Sequence, residues 1–126
     1  MLAAPTILLV EDEPGVRGPI RRVLLAKGYH VLEAANGAEA LELATAHEGS
    51  IDLLLTDVVM PVMGGAELAR HLREVRPQVR ILFMTGFSPE AIASHGVLAP
   101  DTTLLQKPFT VEELVLSLAR ALQSAG

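Results

Sequence analysis

Asp57 closes an apolar run, Leu53-Leu54-Leu55-Thr56-Asp57. A loop that is itself greasy follows, Val58-Val59-Met60-Pro61-Val62-Met63, ending on Gly64-Gly65. A carboxylate at the tip of a buried strand is costly unless its charge is compensated. Three more acids, Glu11-Asp12-Glu13, follow the apolar run Thr6-Ile7-Leu8-Leu9-Val10, while Thr85-Gly86 and Lys107-Pro108 close two further runs. Carboxylates brought together repel and raise one another's pKa unless a cation sits among them. Oxygen ligands with room for water suit magnesium, a hard ion that favours phosphate oxygens; manganese is the alternative. A hydroxyl and an ammonium opposite the metal can hold the other oxygens of a phosphoryl group. In that setting Asp57 is a nucleophile able to form an aspartyl phosphate.

For these residues to meet, the runs that carry them must end at one edge. The strand candidates are 6–10, 30–34, 51–57, 79–85 and 102–106, several of them continuously apolar. That pattern suits parallel strands covered on both faces. Helix signals fall between them. Asn36 with Glu39, and Thr110 with Glu113, resemble capping boxes. Ser88-Pro89-Glu90 reads as a helix start. The spacing predicts a first helix over 14–27 despite Gly15, Gly18 and Pro19, with a kink near Pro19 and a stop at Gly28. A further helix begins near Gly65 and ends at Pro77, and the last carries a stripe of Val111, Leu114, Val115, Leu118 and Leu122. Five βα units imply a three-layer αβα sandwich: a five-stranded parallel sheet with five helices and right-handed crossovers. The expected flavodoxin-like strand order is 2-1-3-4-5, with the functional crevice at the carboxyl ends of strands 1 and 3.

The totals narrow the function. A length of 126 residues fits one domain, 1–126 with a core of about 5–123 and no output domain. Half of the residues are hydrophobic, enough for a real core, and only 3% are aromatic, which leaves that core to aliphatic side chains. The absence of cysteine excludes disulfides and thiolate chemistry. A net charge of -5 argues against direct nucleic-acid binding. Arg70, Arg73 and Arg76, at helical spacing, read as a solvated helix face. His30, His47, His71 and His95 show no metal-ligand spacing. No apolar run reaches the ~18 residues of a membrane span, and the start lacks a basic leader region. A cytoplasmic protein without membrane insertion is expected.

The chain resembles a response-regulator receiver domain, CheY-like, over essentially its full length. The residues that carry the resemblance are the acidic pair Glu11-Asp12, Asp57 in D-V-V-M-P-V-M-G-G, Thr85 in M-T-G-F, and Lys107 in K-P-F. The resemblance implies that Asp57 is the phosphoacceptor. It implies magnesium held directly by Asp12, Asp57 and the backbone carbonyl of Val59, with Glu11 acting through water. It also implies that Thr85 and Lys107 contact phosphoryl oxygens, and that the Lys107–Pro108 bond is cis. The expected partner is a histidine kinase or phosphotransfer domain. The tail from M-T-G-F-S-P-E-A-I to L-L-Q-K-P-F-T-V-E-E-L is similar to receivers at the C-terminus of hybrid sensor histidine kinases, so the kinase is expected to lie in the same longer chain or apart from it.

Departures from the family pattern carry expectations too. Leu104 stands where an aromatic residue is common, three positions before Lys107. The switch is therefore expected to run through Thr85, Gly86 and Phe87, and to be shallow at Leu104. Val59 and Phe87 flank the spot for an attacking water and offer it no polar group, which favours a long-lived phosphoryl group. A phosphatase with an Asp nucleophile, of the haloacid-dehalogenase kind, would need a second Asp two residues after the first, where Val59 stands. A binding module that keeps the fold without being phosphorylated is the third reading, and the complete set of site residues argues against it.

Overall fold

The computed structural model describes residues 4–86 and 103–123. The five strands are β1 (Thr6–Val10), β2 (His30–Ala34), β3 (Leu53–Asp57), β4 (Arg80–Thr85) and β5 (Leu104–Gln106). They form one parallel sheet in the order β2-β1-β3-β4-β5. Four helices lie among the described residues: α1 (Pro14–Ala26), α2 (Gly37–Ala46), α3 (Gly65–Val75) and α4 (Val111–Gln123). The helix expected from Ser88 lies outside them. Strand ends differ from the expected ranges by a residue or two. Ile51 and Val79 are buried but precede the ladder.

The continuously apolar strands have a direct explanation. Successive side chains point to opposite faces, and both faces are covered. Leu8, Val10 and Leu54 pack with Ala40 and Ala44 of α2 and Leu68 and Leu72 of α3. Ile7, Leu9, Leu53 and Leu55 pack with Ile20 and Leu24 of α1 and Leu114 and Leu118 of α4. Each fully buried Leu contributes roughly 1.5–3 kcal/mol over its exposed state, so the sheet is a rigid platform for whatever projects from its edge.

Helix ends follow the capping signals. Asn36 Oδ1 accepts from the Glu39 amide at 2.8 Å. Thr110 and Glu113 form a reciprocal box, with both bonds at 3.0 Å. Pro19 sits inside α1 on its exposed side, and the helix runs on past it to Ala26. It ends in a Schellman arrangement, the amides of Gly28 and Tyr29 donating to Leu25 and Leu24 carbonyls. Gly28 has φ +89°, a conformation that disfavours any side chain.

Two surface expectations are corrected. Arg70 and Arg73 are exposed, but Arg76 is not part of a solvated stripe. Its guanidinium donates to the carbonyls of Ala44, His47 and Gly49 at 2.8–2.9 Å. It thereby closes the C-terminal end of α2, where orphan carbonyls need donors. Val111 is 57% exposed because it opens α4 beyond the packed face, whose buried members are Leu114, Leu118 and Ala121.

Candidate functional site

Parallel pairing delivers the site residues to one edge. Asp57 ends β3 opposite Met84, and Thr85 ends β4 opposite Gln106. Lys107 leaves β5 with its amide donating to the Thr85 carbonyl at 2.7 Å. Glu11 leaves β1 with its amide donating to Ala34 of β2 at 3.2 Å. The loop after Asp57 folds back, and the Gly65 amide donates to the Val58 carbonyl at 2.8 Å. A β-carbon at Gly65 would overlap the Asp57 carbonyl oxygen. Only glycine lets α3 start this close to the strand tip. Val62, wholly exposed in the same loop, has φ +70°, a strained conformation for a β-branched residue.

At the edge opens a cleft of about 290 Å³, lined by Asp12, Glu13, Asp57, Val59, Thr85, Gly86 and Lys107. Asp57 is 6% exposed and Thr85 3%. Lys107 Nζ lies 2.7 Å from Asp57 Oδ1 and 2.8 Å from Glu11 Oε2. The lysine thus bridges two carboxylates from different strands. Carboxylate oxygens of Glu11, Asp12 and Asp57 lie within 4.8 Å of one another. Glu11 itself is fully buried beneath the cleft, and its Oε1 accepts from the Glu13 amide at 3.3 Å. Asp12 is exposed.

The electrostatics are unbalanced. Two buried carboxylates face one ammonium. Burial, reinforced by Glu11, pushes the Asp57 carboxyl up to about 8, although Lys107 opposes the rise. Burial also works against ionised Glu11, but hydrogen bonds with Asp57, Lys107 and the Glu13 amide hold it below the usual range. Lys107 is likewise opposed by burial and is held above its ordinary value by Asp57 and Glu11. The pair therefore retains one proton near neutral pH and titrates as a unit. A divalent cation is the other way to balance the site, and three carboxylates with one open to solvent form a donor set that suits a hard ion.

Among the residues singled out from the sequence, Glu11, Asp12, Asp57, Val59, Thr85, Gly86 and Lys107 meet here. The Lys107–Pro108 bond is cis. Leu104 does not reach the cleft: it is half-buried against the α2–α3 face of the sheet. Phe87 lies outside the described residues. One contact was missed. Arg17 of α1 donates to the Glu11 backbone carbonyl at 2.7 Å and to Glu33 at 3.2 Å. No residue-type signal could have revealed it, because the acceptor at the site is a backbone carbonyl.

A family model for the response regulator receiver domain matches residues 7–119. The chain belongs to that family. This receiver is 40% identical over 119 residues to the response regulator receiver protein CpdR of Brucella abortus, covering 94% of the chain and 98% of that protein. It is 39% identical over 118 residues to the sensor kinase CckA of the same organism, covering 94% of the chain but only 12% of the kinase. Among solved structures, the receiver domain of the hybrid histidine kinase CckA superposes with a TM-score of 0.79 at 37% identity, covering 94% of this chain and 99% of that one. The sheet order and the two helical layers are those of a CheY-like fold. No helix among the described residues is long and apolar enough to cross a membrane.

Proposed function

We propose that this receiver is phosphorylated on Asp57 in a two-component phosphorelay. The observation that carries the reading is the contact of a nearly buried Asp57 with Lys107 at 2.7 Å, at the mouth of a cleft also lined by Asp12 and Thr85. An Asp57 carboxylate oxygen attacks phosphorus, and the bond from phosphorus to the donor's imidazole nitrogen breaks. The electron pair leaves with the histidine, which is then protonated. A magnesium ion held by Asp12, Asp57 and the Val59 carbonyl, with Glu11 behind them, would neutralise charge on the transferring oxygens; manganese has the same preferences. Lys107 would move from the carboxylate pair toward the new phosphoryl oxygens, and Thr85, which lines the same cleft, would meet them with its hydroxyl.

Supporting residues set the limits of the chemistry. Val59, 61% exposed at the cleft, stands where a phosphatase of this general design would need its acid. The receiver therefore catalyses only its own phosphorylation and dephosphorylation. The partner is a histidine kinase or phosphotransfer domain, whether separate or in a longer chain of the hybrid-kinase type. Added charge at Asp57 biases a switch in which Thr85 and Gly86 move, while Leu104, packed away from the cleft, changes little.

The test is incubation with magnesium and acetyl phosphate, followed by peptide mapping of the added mass. A single adduct on Asp57, absent after EDTA and absent from Asp57→Asn, is expected. An adduct of equal yield on Asp57→Asn would overturn the reading.

A further inference from the structure

The turn that presents the acidic pair is held from outside the cleft. Its amide end is fixed by Glu11 N–H on the Ala34 carbonyl, and its carboxyl end by the start of α1, where Val16 and Arg17 amides donate to the Glu13 carbonyl at 3.0 and 2.9 Å. Between these ends lies the Glu11–Asp12 peptide. The orientation of that peptide decides where the Asp12 side chain projects. Its carbonyl accepts from Arg17 Nη1 at 2.7 Å, while Arg17 Nε is engaged by Glu33 Oε1 at 3.2 Å. Glu33 is in turn bound by Arg21 Nε at 3.1 Å. Arg17 is 18% exposed, against 44% for Arg21. A planar guanidinium with donors in a fixed fork, gripped from two directions, is a stiff strut rather than a floating charge.

We propose that Arg17, anchored on Glu33, is a positioning residue that sets the Glu11–Asp12 peptide so that Asp12 faces Asp57 across the cation site. Arg17 touches neither cation nor phosphoryl group and acts through the backbone carbonyl. The inference rests on the magnesium-dependent phosphoacceptor reading above. Outer supports of this kind typically alter metal affinity by ~10–100-fold when removed.

Charge alone would give the opposite sign. Deleting a cation beside an acidic site lowers the local positive potential and should tighten magnesium binding. Loss of a strut should weaken it. This contrast separates positioning from electrostatics, and affinity measured on the folded population separates both from a loss of stability.

The experiment is magnesium titration of the full chain, followed by the amide signals of Gly65 and Gly86 in proton–nitrogen spectra. Wild type is compared with Arg17→Ala, Arg17→Met and Asp57→Asn. Methionine keeps the apolar stem on α1 while removing both donors, so it serves if alanine lowers the folded fraction. Magnesium affinity about tenfold weaker in the Arg17 variants is expected, with the Asp12 and Glu13 amides displaced before any metal is added. Wild-type or tighter affinity in the folded Arg17 variants would overturn the positioning role while leaving the phosphoacceptor reading intact. If wild type shows no response, or Asp57→Asn matches it, that reading falls and the positioning role with it.

Discussion

Two charged triads stand back to back across the turn after β1, with opposite composition. In one, Lys107 lies between the carboxylates of Glu11 and Asp57 at 2.8 and 2.7 Å. In the other, Glu33 lies between the guanidinium groups of Arg17 and Arg21 at 3.2 and 3.1 Å. Glu11 links the two: its side chain is a member of the first, and its backbone carbonyl accepts from Arg17 of the second. Contact distances are alike, yet surroundings differ. The Glu11 and Asp57 side chains are 1% and 8% exposed, whereas Glu33 and Arg21 are 41% and 44% exposed. Water screens the outer triad, so its excess charge matters little. The inner triad has no such relief and stores its imbalance as a retained proton. The same pairing chemistry serves, on the two proposals above, as a brace in one place and as a poised cation and phosphoryl site in the other.

The largest expected effect is on cation binding against pH. If Asp57 keeps its proton until about pH 8, magnesium must displace that proton. Apparent affinity should then rise by up to about tenfold per pH unit below that point and level off above it. Calorimetric titrations at three pH values in buffers of different ionisation enthalpy would check the slope and the proton release. A flat profile would show that the inner triad is no more poised than the outer one.

Next in size is stability. The folded Asp57 pKa is raised from 3.8 to about 8, so between those values the native state holds a proton that the unfolded chain has lost. Stability contributed by this group is fully present below pH 3.8 and falls as pH rises through 8. Asp57→Asn, which keeps the shape without the charge, should be the more stable protein at pH 8, by about 1–3 kcal/mol. Its advantage should shrink toward pH 4. Denaturant melts across that window would settle it, and an advantage that grows toward acid would contradict the stated cause.

The smallest effect sharpens the comparison from the other side. Arg21→Ala should cost under about 1 kcal/mol, as exposed pairs do, and should leave magnesium affinity unchanged because Arg17 keeps its hold on the Glu11 carbonyl. Thermal melts and the same titration would test this. A tenfold loss of affinity would mean that the outer triad acts as one unit.

Much of the site was readable because several separate signals agreed. Asp57, Thr85 and Lys107 each close or follow an apolar run, and parallel strands must end at a shared edge. The capping residues Asn36 and Thr110 act locally, within four residues, so their roles were visible in the spacing. Arg76 was misread for the opposite reason. Its partners Ala44, His47 and Gly49 are backbone carbonyls distant in sequence, and helical spacing alone suggested solvent. Val111 shared the period of the buried stripe but sits where α4 has not yet reached the sheet.

Sequence by itself determined the αβα layering and which polar residues share the carboxyl edge of a parallel sheet, whereas the strand order was only the usual one for five such units until the pairing was seen. Hydrophobic periodicity and chain direction decide the layering and the shared edge, and both are written residue by residue. Tertiary structure alone decided that Lys107 joins Glu11 to Asp57, that Glu11 is buried while Asp12 faces the cleft, and that Arg17 donates to the Glu11 carbonyl. Those outcomes depend on ångström-scale distances and on how much water is excluded around each charge. Neither quantity exists until the strands have paired.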